Sequence, residues 1–214
     1  MSDYWIEDGE TMLFIGDSIT DCGRRDANAP FGDGYVRMVT ELATAQFPER
    51  KISYVNKGIG GNTVTDLRDR WQEDVLDQRP DKLSIKIGIN DLHSHLRGAD
   101  GGVSPELFAE RYDGVLALTK QELGCPLVLI SPFYISQDNS RQTLRSQVLE
   151  LLPRYIETVE ALSEKYGARI VRSHEIFQRH LQFRDAEVFC PEPVHPNRAG
   201  HLVIAEEVMK VMGG

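Results

Sequence analysis

The sequence predicts an α/β fold, a single doubly wound domain in which a parallel sheet is covered by helices on both faces. Five short runs of mostly apolar, β-rich residues alternate with longer stretches that have helical spacing. Runs of this kind are typical of parallel strands that are buried on both faces. The length of 214 residues suits one domain better than two. We therefore expect one domain over residues 1–214, with an acidic lead-in at residues 1–10.

The predicted elements follow in a regular order. Strands are expected where apolar and β-branched residues cluster, and helices where apolar residues recur three or four positions apart. The predicted strands cover residues 12–15, 52–55, 83–87, 127–130 and 168–171. The predicted helices cover residues 34–46, 64–78, 105–123, 141–166 and 198–212. Two glycine- or proline-containing segments, 97–103 and 191–196, are predicted as loops of the same domain.

Composition and charge exclude several classes of partner. The chain has 24 basic and 33 acidic residues, a net charge of −9, which would repel a nucleic-acid backbone. No apolar run approaches the roughly eighteen residues that span a bilayer, and residues 1–10 contain no apolar signal segment, so we expect no membrane association. Three scattered cysteines fit neither a disulfide framework nor a zinc cluster, and we expect a cytoplasmic protein. They are Cys22, Cys125 and Cys190.

Polar residues concentrate directly after the first four predicted strands. In an open parallel sheet, ligands bind outside the carboxyl ends of the strands. The segments at these positions are GDSIT, NKGIGGNT, GIND and SPFY. We therefore expect the functional residues there.

Ser18 is a candidate nucleophile, since a tight turn after the first strand would present its hydroxyl at the sheet edge. The alternative is an ordinary N-cap serine. A nucleophilic serine needs a base, usually histidine. His195 lies in a stiff, proline-flanked loop three residues after Glu192, whose carboxylate could orient the imidazole.

The other histidines have weaker cases. His93 and His95 form an HxH pair on a predicted loop, but without a third ligand at diagnostic spacing we expect no metal. We expect structural or surface roles for the remaining three, which are His174, His180 and His201.

Gly61 and Asn90 are candidate donors to a developing oxyanion. A glycine lets a backbone N–H approach a ligand closely, and an asparagine amide supplies two further donors. The alternatives are a strand-to-helix turn at Gly61 and an Asx turn or N-cap at Asn90. A dinucleotide-binding loop is disfavoured because Thr63 stands where that motif requires glycine, and no GxxxxGK[ST] sequence occurs.

Taken together, GDSIT, GIGGN, GIND and a late acid-x-x-His-Pro at 192–196 resemble the SGNH, or GDSL, family of serine hydrolases, over nearly the whole chain. The resemblance implies a flavodoxin-like α/β/α sandwich with a five-stranded parallel sheet, and ester hydrolysis without a cofactor. It also implies that Ser18 is the nucleophile and an oxyanion donor through its N–H. Gly61 and Asn90 would complete the oxyanion hole, and His195 would be the general base.

Longer strings, including FIGDSITDCGR and RWQEDV, resemble the intracellular bacterial acetylesterases that include acetylxylan esterases. This implies a small acylated substrate, above all an acetyl group on a sugar or xylo-oligosaccharide. The family pattern has Asp three residues before the histidine, whereas this chain has Glu192. Glu192 either completes a triad or points to solvent and leaves a Ser-His dyad supported by a backbone carbonyl.

Two other functions stay open at this point: a lysophospholipase or thioesterase of the same family, and a catalytically silent carbohydrate-binding protein. Apolar residues in the acidic lead-in, Tyr4, Trp5 and Ile6, predict either self-association into a homo-oligomer or docking onto the chain's own domain. Asp17 is expected chiefly to brace the nucleophile turn and is also a candidate contact for substrate. The aromatic candidates for the pocket wall are Tyr35, Trp71, Phe133 and Tyr134.

Overall fold

Five parallel strands form one sheet in the order β2-β1-β3-β4-β5. The computed structural model describes residues 4–98 and 101–213. The strands are β1 Thr11–Gly16, β2 Ser53–Asn56, β3 Lys82–Lys86, β4 Leu127–Ile130 and β5 Arg169–Val171. The eight α-helices of the described residues are α1 Ser18–Asp21, α2 Tyr35–Gln46, α3 Val64–Asp69, α4 Ile89–Leu96, α5 Pro105–Glu122, α6 Leu144–Tyr166, α7 Ser173–His180 and α8 Arg198–Val211.

Helices cover both faces of the sheet. The chain passes from β1 to β2 in one direction and from β2 to β3, β4 and β5 in the other. Because such crossovers are right-handed, α2 lies on one face and α3, α5 and α6 on the other. In agreement, α2 packs on α8, while α5 packs on α3 and α6. The predicted α/β fold with a five-stranded parallel sheet is confirmed.

The strand order reverses between β1 and β3, which are neighbours in the sheet with Gly16 beside Lys86. The carboxyl ends of two strands at such a switch point diverge into a crevice where ligands bind. Ser18 follows β1 and Asn90 follows β3. The fold therefore places the motif segment of Ser18 on one side of this crevice and the motif segment of Asn90 on the other.

The helix boundaries follow local capping chemistry. The Thr63 hydroxyl accepts from the Asp66 N–H, and the Asp66 carboxylate accepts from the Thr63 N–H, so α3 begins with a capping box. Ser104 caps α5, with Pro105 at its first position. Gly167, at φ 64°, ends α6.

Four helical details differ from the sequence-based expectation. The predicted helix at 64–78 ends as α3 at Asp69 and is followed by a π-helical segment, Gln72–Leu76. Three short helices, α1, α4 and α7, were not predicted, because four to eight residues carry too little periodicity. His93 and His95 consequently lie on α4 and not on a loop.

The lead-in packs onto the chain's own domain. Tyr4 and Ile6 are buried, the Tyr4 ring stacks on Phe47 with centroids 4.2 Å apart, and the Trp5 N–H donates to the Met212 carbonyl at 2.7 Å. Residues 1–3 of the lead-in and 99–100 of the loop predicted at 97–103 lie outside the described residues. Over the part of the chain that the structure describes, no helix is long and apolar enough to cross a bilayer.

Candidate active site

Ser18, His195 and Glu192 form a continuous chain of hydrogen bonds. The Ser18 Oγ lies 2.8 Å from His195 Nε2, and His195 Nδ1 lies 2.5 Å from Glu192 Oε1. Because Glu192 accepts the Nδ1 proton, Nε2 is left free to accept the proton of the serine hydroxyl. Residues 177 positions apart in the sequence thus meet at the end of β1.

Glu192 is held in its own loop by backbone donors. Its Oε1 accepts from the His195 N–H at 2.7 Å, and its Oε2 accepts from the Val194 N–H at 3.0 Å. Burial by itself would raise the pKa of Glu192, but these two N–H groups and the imidazole together hold it below its usual value. The carboxylate therefore faces the ring, as a triad requires, although glutamate is one methylene longer than aspartate.

The turn that presents Ser18 is anchored from beneath by Asp17. The Asp17 side chain caps α1 by accepting from the Ile19 N–H at 3.0 Å. It also forms a fully buried ion pair with Lys86, whose Nζ lies 3.1 Å from Oδ2. Ser18 itself is half-buried, so its hydroxyl remains accessible above this pair.

Of the two other candidate oxyanion donors, Gly61 lies on the loop between β2 and α3, and Asn90 lies in the first turn of α4. A Cβ at Gly60 would lie 3.8 Å from the Ser18 Cβ, which places the glycine loop beside the nucleophile. Gly61 has φ +82°, a left-handed conformation that favours glycine. The Asn90 amide donates to the Asn62 carbonyl at 3.0 Å. The geometry brings the Gly61 segment, Asn90 and Ser18 to the same end of the sheet.

Asp91, next to Asn90, is buried and supports the same loops. Its Oδ1 accepts from the Val64 N–H at 2.9 Å and so ties the start of α3 to the start of α4. Oδ2 has no hydrogen-bond partner within the described residues. Burial raises the pKa of Asp91 to about 7, against the opposing effect of the Val64 N–H.

Four of the five candidate substrate contacts were wrong. Asp17, Tyr35, Trp71 and Phe133 are at most 1% exposed, so none of them can line a pocket for substrate. Each is instead fixed in the interior by a neighbour. Asp17 forms an ion pair with Lys86, and the Lys86 ammonium also lies over the Phe133 ring. The Tyr35 hydroxyl shares a hydrogen bond with the Thr20 hydroxyl, and the Trp71 indole N–H donates to the Thr119 hydroxyl.

Tyr134 lies beside the loop that carries Glu192 and His195. His93, which the sequence suggested only as a candidate metal ligand, lies there too. Their rings are in edge-to-face contact with centroids 6.1 Å apart. The Ile135 N–H donates to the Pro193 carbonyl at 2.9 Å, joining this segment to the loop of His195. His93 follows Asn90 by three residues on α4, and this spacing, which puts both on one helix face, was the available signal.

The His93 ring is partly buried beside charged groups. Burial lowers the pKa of His93, and the neighbouring Arg97 lowers it further, while the charges of Glu192 and His195 both reach the ring. Across the described ranges, no three potential ligands from His, Cys, Asp and Glu cluster around a common point. The His93 ring lies close enough to Glu192 and His195 for their charges to affect it.

Comparisons with known proteins agree with this geometry. A model of the GDSL-like lipase/acylhydrolase family matches residues 14–203. The acetylxylan esterase of Geobacillus stearothermophilus is 37% identical over an alignment of 221 positions, which covers 97% of this chain and 96% of that protein. A crystal structure of an acetylxylan esterase from the same organism matches with a TM-score of 0.89 at 34% identity, covering 98% of this chain and 97% of the other.

Further solved structures match over the same extent. Catalytic mutants of that esterase with a serine, an aspartate or a histidine changed to alanine have TM-scores of 0.88, 0.90 and 0.88, at 34% identity. An α/β hydrolase from the metagenome of Lake Arreo, Spain, has a TM-score of 0.87 at 31% identity and covers 98% of both chains. In this protein the carboxylate that accepts from His195 Nδ1 belongs to a glutamate, Glu192.

Proposed function

Because the chain belongs to the GDSL-like lipase/acylhydrolase family and is a carboxylic ester hydrolase, we propose that it removes acetyl groups from acetylated sugars, above all xylo-oligosaccharides. The observation that carries the proposal is the hydrogen-bonded chain from Ser18 through His195 to Glu192. The choice of substrate is supported by similarity over nearly the whole chain to an acetylxylan esterase and to an acetyl-xylooligosaccharide esterase.

In the first step, Ser18 Oγ attacks the acetyl carbonyl carbon while His195 Nε2 takes the hydroxyl proton. The carbonyl oxygen becomes an oxyanion that accepts hydrogen bonds from the N–H groups of Ser18 and Gly61 and from the Asn90 amide. When this intermediate collapses, the bond between the acyl carbon and the sugar oxygen breaks. His195 returns its proton to that oxygen, and the acetylated Ser18 remains.

In the second step, water replaces the sugar. His195 takes a proton from the water molecule as the water oxygen attacks the acyl carbon. A second oxyanion forms and accepts hydrogen bonds from the same donors. Collapse releases acetate and returns the proton to Ser18. Glu192 stays ionised throughout and stabilises the imidazolium. Since His195 carries every proton, the scheme includes no cofactor, and we expect hydrolysis to persist in a chelator.

Tyr134 and His93 are proposed as one wall of the substrate site. They lie beside the loop that carries Glu192 and His195, and each combines an apolar ring with polar atoms. His93 is half-buried whereas Tyr134 is only 5% exposed, so His93 forms more of the accessible surface. A sugar ring combines the same two characters, with C–H faces and hydroxyl edges. A small acylated sugar is therefore the partner proposed for this protein.

The test is a comparison of acyl chain lengths and acceptors. Initial rates are measured for acetylated xylo-oligosaccharides and for nitrophenyl esters from acetyl to octanoyl, with the wild-type protein and Ser18→Ala. We expect kcat/KM to fall from acetyl to octanoyl, and we expect Ser18→Ala to lose about 10⁶-fold in kcat. Labelling by a phosphonate serine probe should disappear in the same variant.

The other outcomes identify the competing functions. A preference for octanoyl esters, lysophospholipids or acyl thioesters would favour the lysophospholipase or thioesterase. Sugar binding without hydrolysis or probe labelling would indicate a silent carbohydrate-binding protein. Cytoplasmic location and self-association stay predictions, and a mass near 24.2 kDa by light scattering would contradict the second.

A further inference from the structure

Arg70 has no role in the two-step scheme, yet its guanidinium joins three backbone segments next to the reacting groups. Its Nη2 donates to the Gly16 carbonyl at 3.3 Å, at the end of β1. Its Nη1 donates to the Lys57 carbonyl at 2.8 Å, directly after β2, and its Nε donates to Asn62 Oδ1 at 2.9 Å. The side chain is only 16% exposed, so these bonds are largely shielded from water.

Two of the three groups held by this guanidinium lie next to candidate oxyanion donors, and one further hydrogen bond reaches the third donor. Gly16 stands two residues before Ser18, and Asn62 directly follows Gly61. The Asn62 carbonyl accepts the amide of Asn90 at 3.0 Å. Each donor is therefore within two residues, or one further hydrogen bond, of a group that the guanidinium fixes.

The charge of Arg70 is balanced within the same cluster. Asp74 Oδ2 accepts from Nη1 at 2.5 Å, and Asp74 Oδ1 accepts from Lys57 Nζ at 3.0 Å. Burial would raise the pKa of Asp74, but the bonds from Arg70 and Lys57 outweigh it, so the pKa lies below its usual value. An arginine suits this position because its planar fork reaches several acceptors at once, whereas a lysine ammonium is a single compact charge.

Two other side chains hold the start of the glycine loop, but neither bonds to Gly61 itself. Asp21 Oδ2 accepts from the Gly60 N–H at 2.9 Å, and Arg24 Nε donates to the Gly58 carbonyl at 2.6 Å. Gly61 is in the left-handed region at φ +82°, and a Cβ built there would meet no atom within 4 Å, so the space beside its Cα is open. Its N–H has no acceptor within the described residues. Oxyanion donors are effective only about 2.7–3.1 Å from the developing charge, and a misplacement of about 1 Å can lower a rate about 10²-fold.

We propose that Arg70 is a positioning residue of the esterase, which fixes the glycine loop and the Asn90 amide relative to the Ser18 turn before substrate binds. The inference rests on the proposed ester hydrolysis at Ser18. It assigns to the arginine of the RWQEDV segment a role in the rate of the chemical step and none in contact with substrate. The expected signature is a loss in kcat at nearly constant KM.

The test measures kcat and KM on nitrophenyl acetate for Arg70→Ala, Arg70→Lys and a matched control, Arg68→Ala. Arg68 lies two residues earlier, on α3, and its exposed side chain bonds only to Asp69 among the described residues. We expect Arg70→Ala to lower kcat about 10- to 100-fold with KM within about threefold of the wild type. Arg70→Lys should regain part of this, and Arg68→Ala should match the wild type.

Two further measurements distinguish positioning from a merely structural role. Methylguanidinium below its denaturing range should raise kcat of Arg70→Ala several-fold and leave Arg68→Ala unchanged. Asn62→Ala, which removes one acceptor and no charge, should lower kcat several-fold. The double variant with Arg70→Ala should be no slower than Arg70→Ala by more than about twofold, because both changes break the same connection.

The proposal is overturned if Arg70→Ala behaves like Arg68→Ala, if only KM rises, or if kcat falls merely in proportion to the unfolded fraction seen by circular dichroism. It is also overturned if methylguanidinium gives no rescue and the Asn62 and Arg70 effects are additive. A wild-type protein that hydrolyses no ester refutes the proposed function instead. That result is obtained without any variant, so the two failures are distinguishable.

Discussion

Replacing Glu192 by glutamine tests whether the carboxylate is part of the catalytic machinery. An amide has one acceptor and one donor end, so it cannot accept from His195 Nδ1, the His195 N–H and the Val194 N–H as the carboxylate does. At least one donor would face another donor. The negative charge opposite the imidazolium would also be lost.

The size of the effect follows from exposure. An acid-to-amide change in a buried triad lowers kcat by about 10⁴. Here the side chains of Glu192 and His195 are 44% and 57% exposed, so water replaces part of the lost stabilisation. We therefore expect a loss of about 10²- to 10³-fold, which is about 2.7–4.1 kcal/mol of barrier. Glu192→Asp should lower kcat about tenfold, because the shorter side chain ends farther from the His195 ring. The hydrogen bond between Ile135 and Pro193 restricts the loop movement that would close this gap.

The assay is steady-state hydrolysis of nitrophenyl acetate, with thermal unfolding as the check on folding. Glu187→Gln is the matched control, since Glu187 is exposed in the turn before the catalytic loop and its removal changes the net charge equally. If Glu192→Gln retained kcat within about threefold of the wild type, the triad would be refuted in favour of a dyad. Equal losses in Glu187→Gln and Glu192→Gln would attribute the effect to long-range charge.

Three other predictions concern the stability of the protein and the glycine loop at Gly61. Lys86→Met leaves the buried Asp17 carboxylate unpaired, so the free energy of unfolding in urea should fall by about 3–5 kcal/mol, and an unchanged midpoint would contradict this. The pKa of Asp91 is raised from 3.8 to about 7, so the folded state binds this proton more tightly than the unfolded state. The stability that the bound proton contributes is full below about pH 4 and is lost as pH rises through about 7. Asp91→Asn should remove this pH dependence, and equal pH slopes for variant and wild type would refute it. Gly61→Ala meets no steric contact but requires φ +82°, so it should lower the free energy of unfolding by about 1–2 kcal/mol and, by shifting the N–H, lower kcat; unchanged stability and kcat would contradict strain at this position.

The sheet was predictable because its strands are short, mostly apolar runs separated by long helices. Strand β4, Leu127–Ile130, coincides with its predicted range, and all four of its residues are buried. The short helices α1 and α4 were not predictable in the same way. An isolated helix of four or eight residues is unstable. Helix α1 is held by the Asp17 cap and by packing on β1, and α4 is held by packing on α6.

The candidate site was predictable in its residue types and only partly in its accessibility. The motif segments correctly indicated that Ser18 and His195 would meet at the carboxyl end of the sheet. They did not indicate which neighbouring side chains face the interior, because direction depends on how each loop leaves its strand. Tyr35 and Trp71 lie near the expected edge in sequence, but their polar atoms bond to Thr20 and Thr119 inside the domain.

The positions of Asp17 and Asp91 explain why two of the motifs pair a candidate functional residue with a carboxylate. In GDSIT, buried Asp17 precedes accessible Ser18, and in GIND, buried Asp91 follows Asn90. Each carboxylate accepts a backbone N–H that starts a helix beside the site, and both act on the charge of the buried Lys86 between them. A change to either carboxylate should therefore lower stability and kcat together, whereas a change to its accessible neighbour should lower kcat alone.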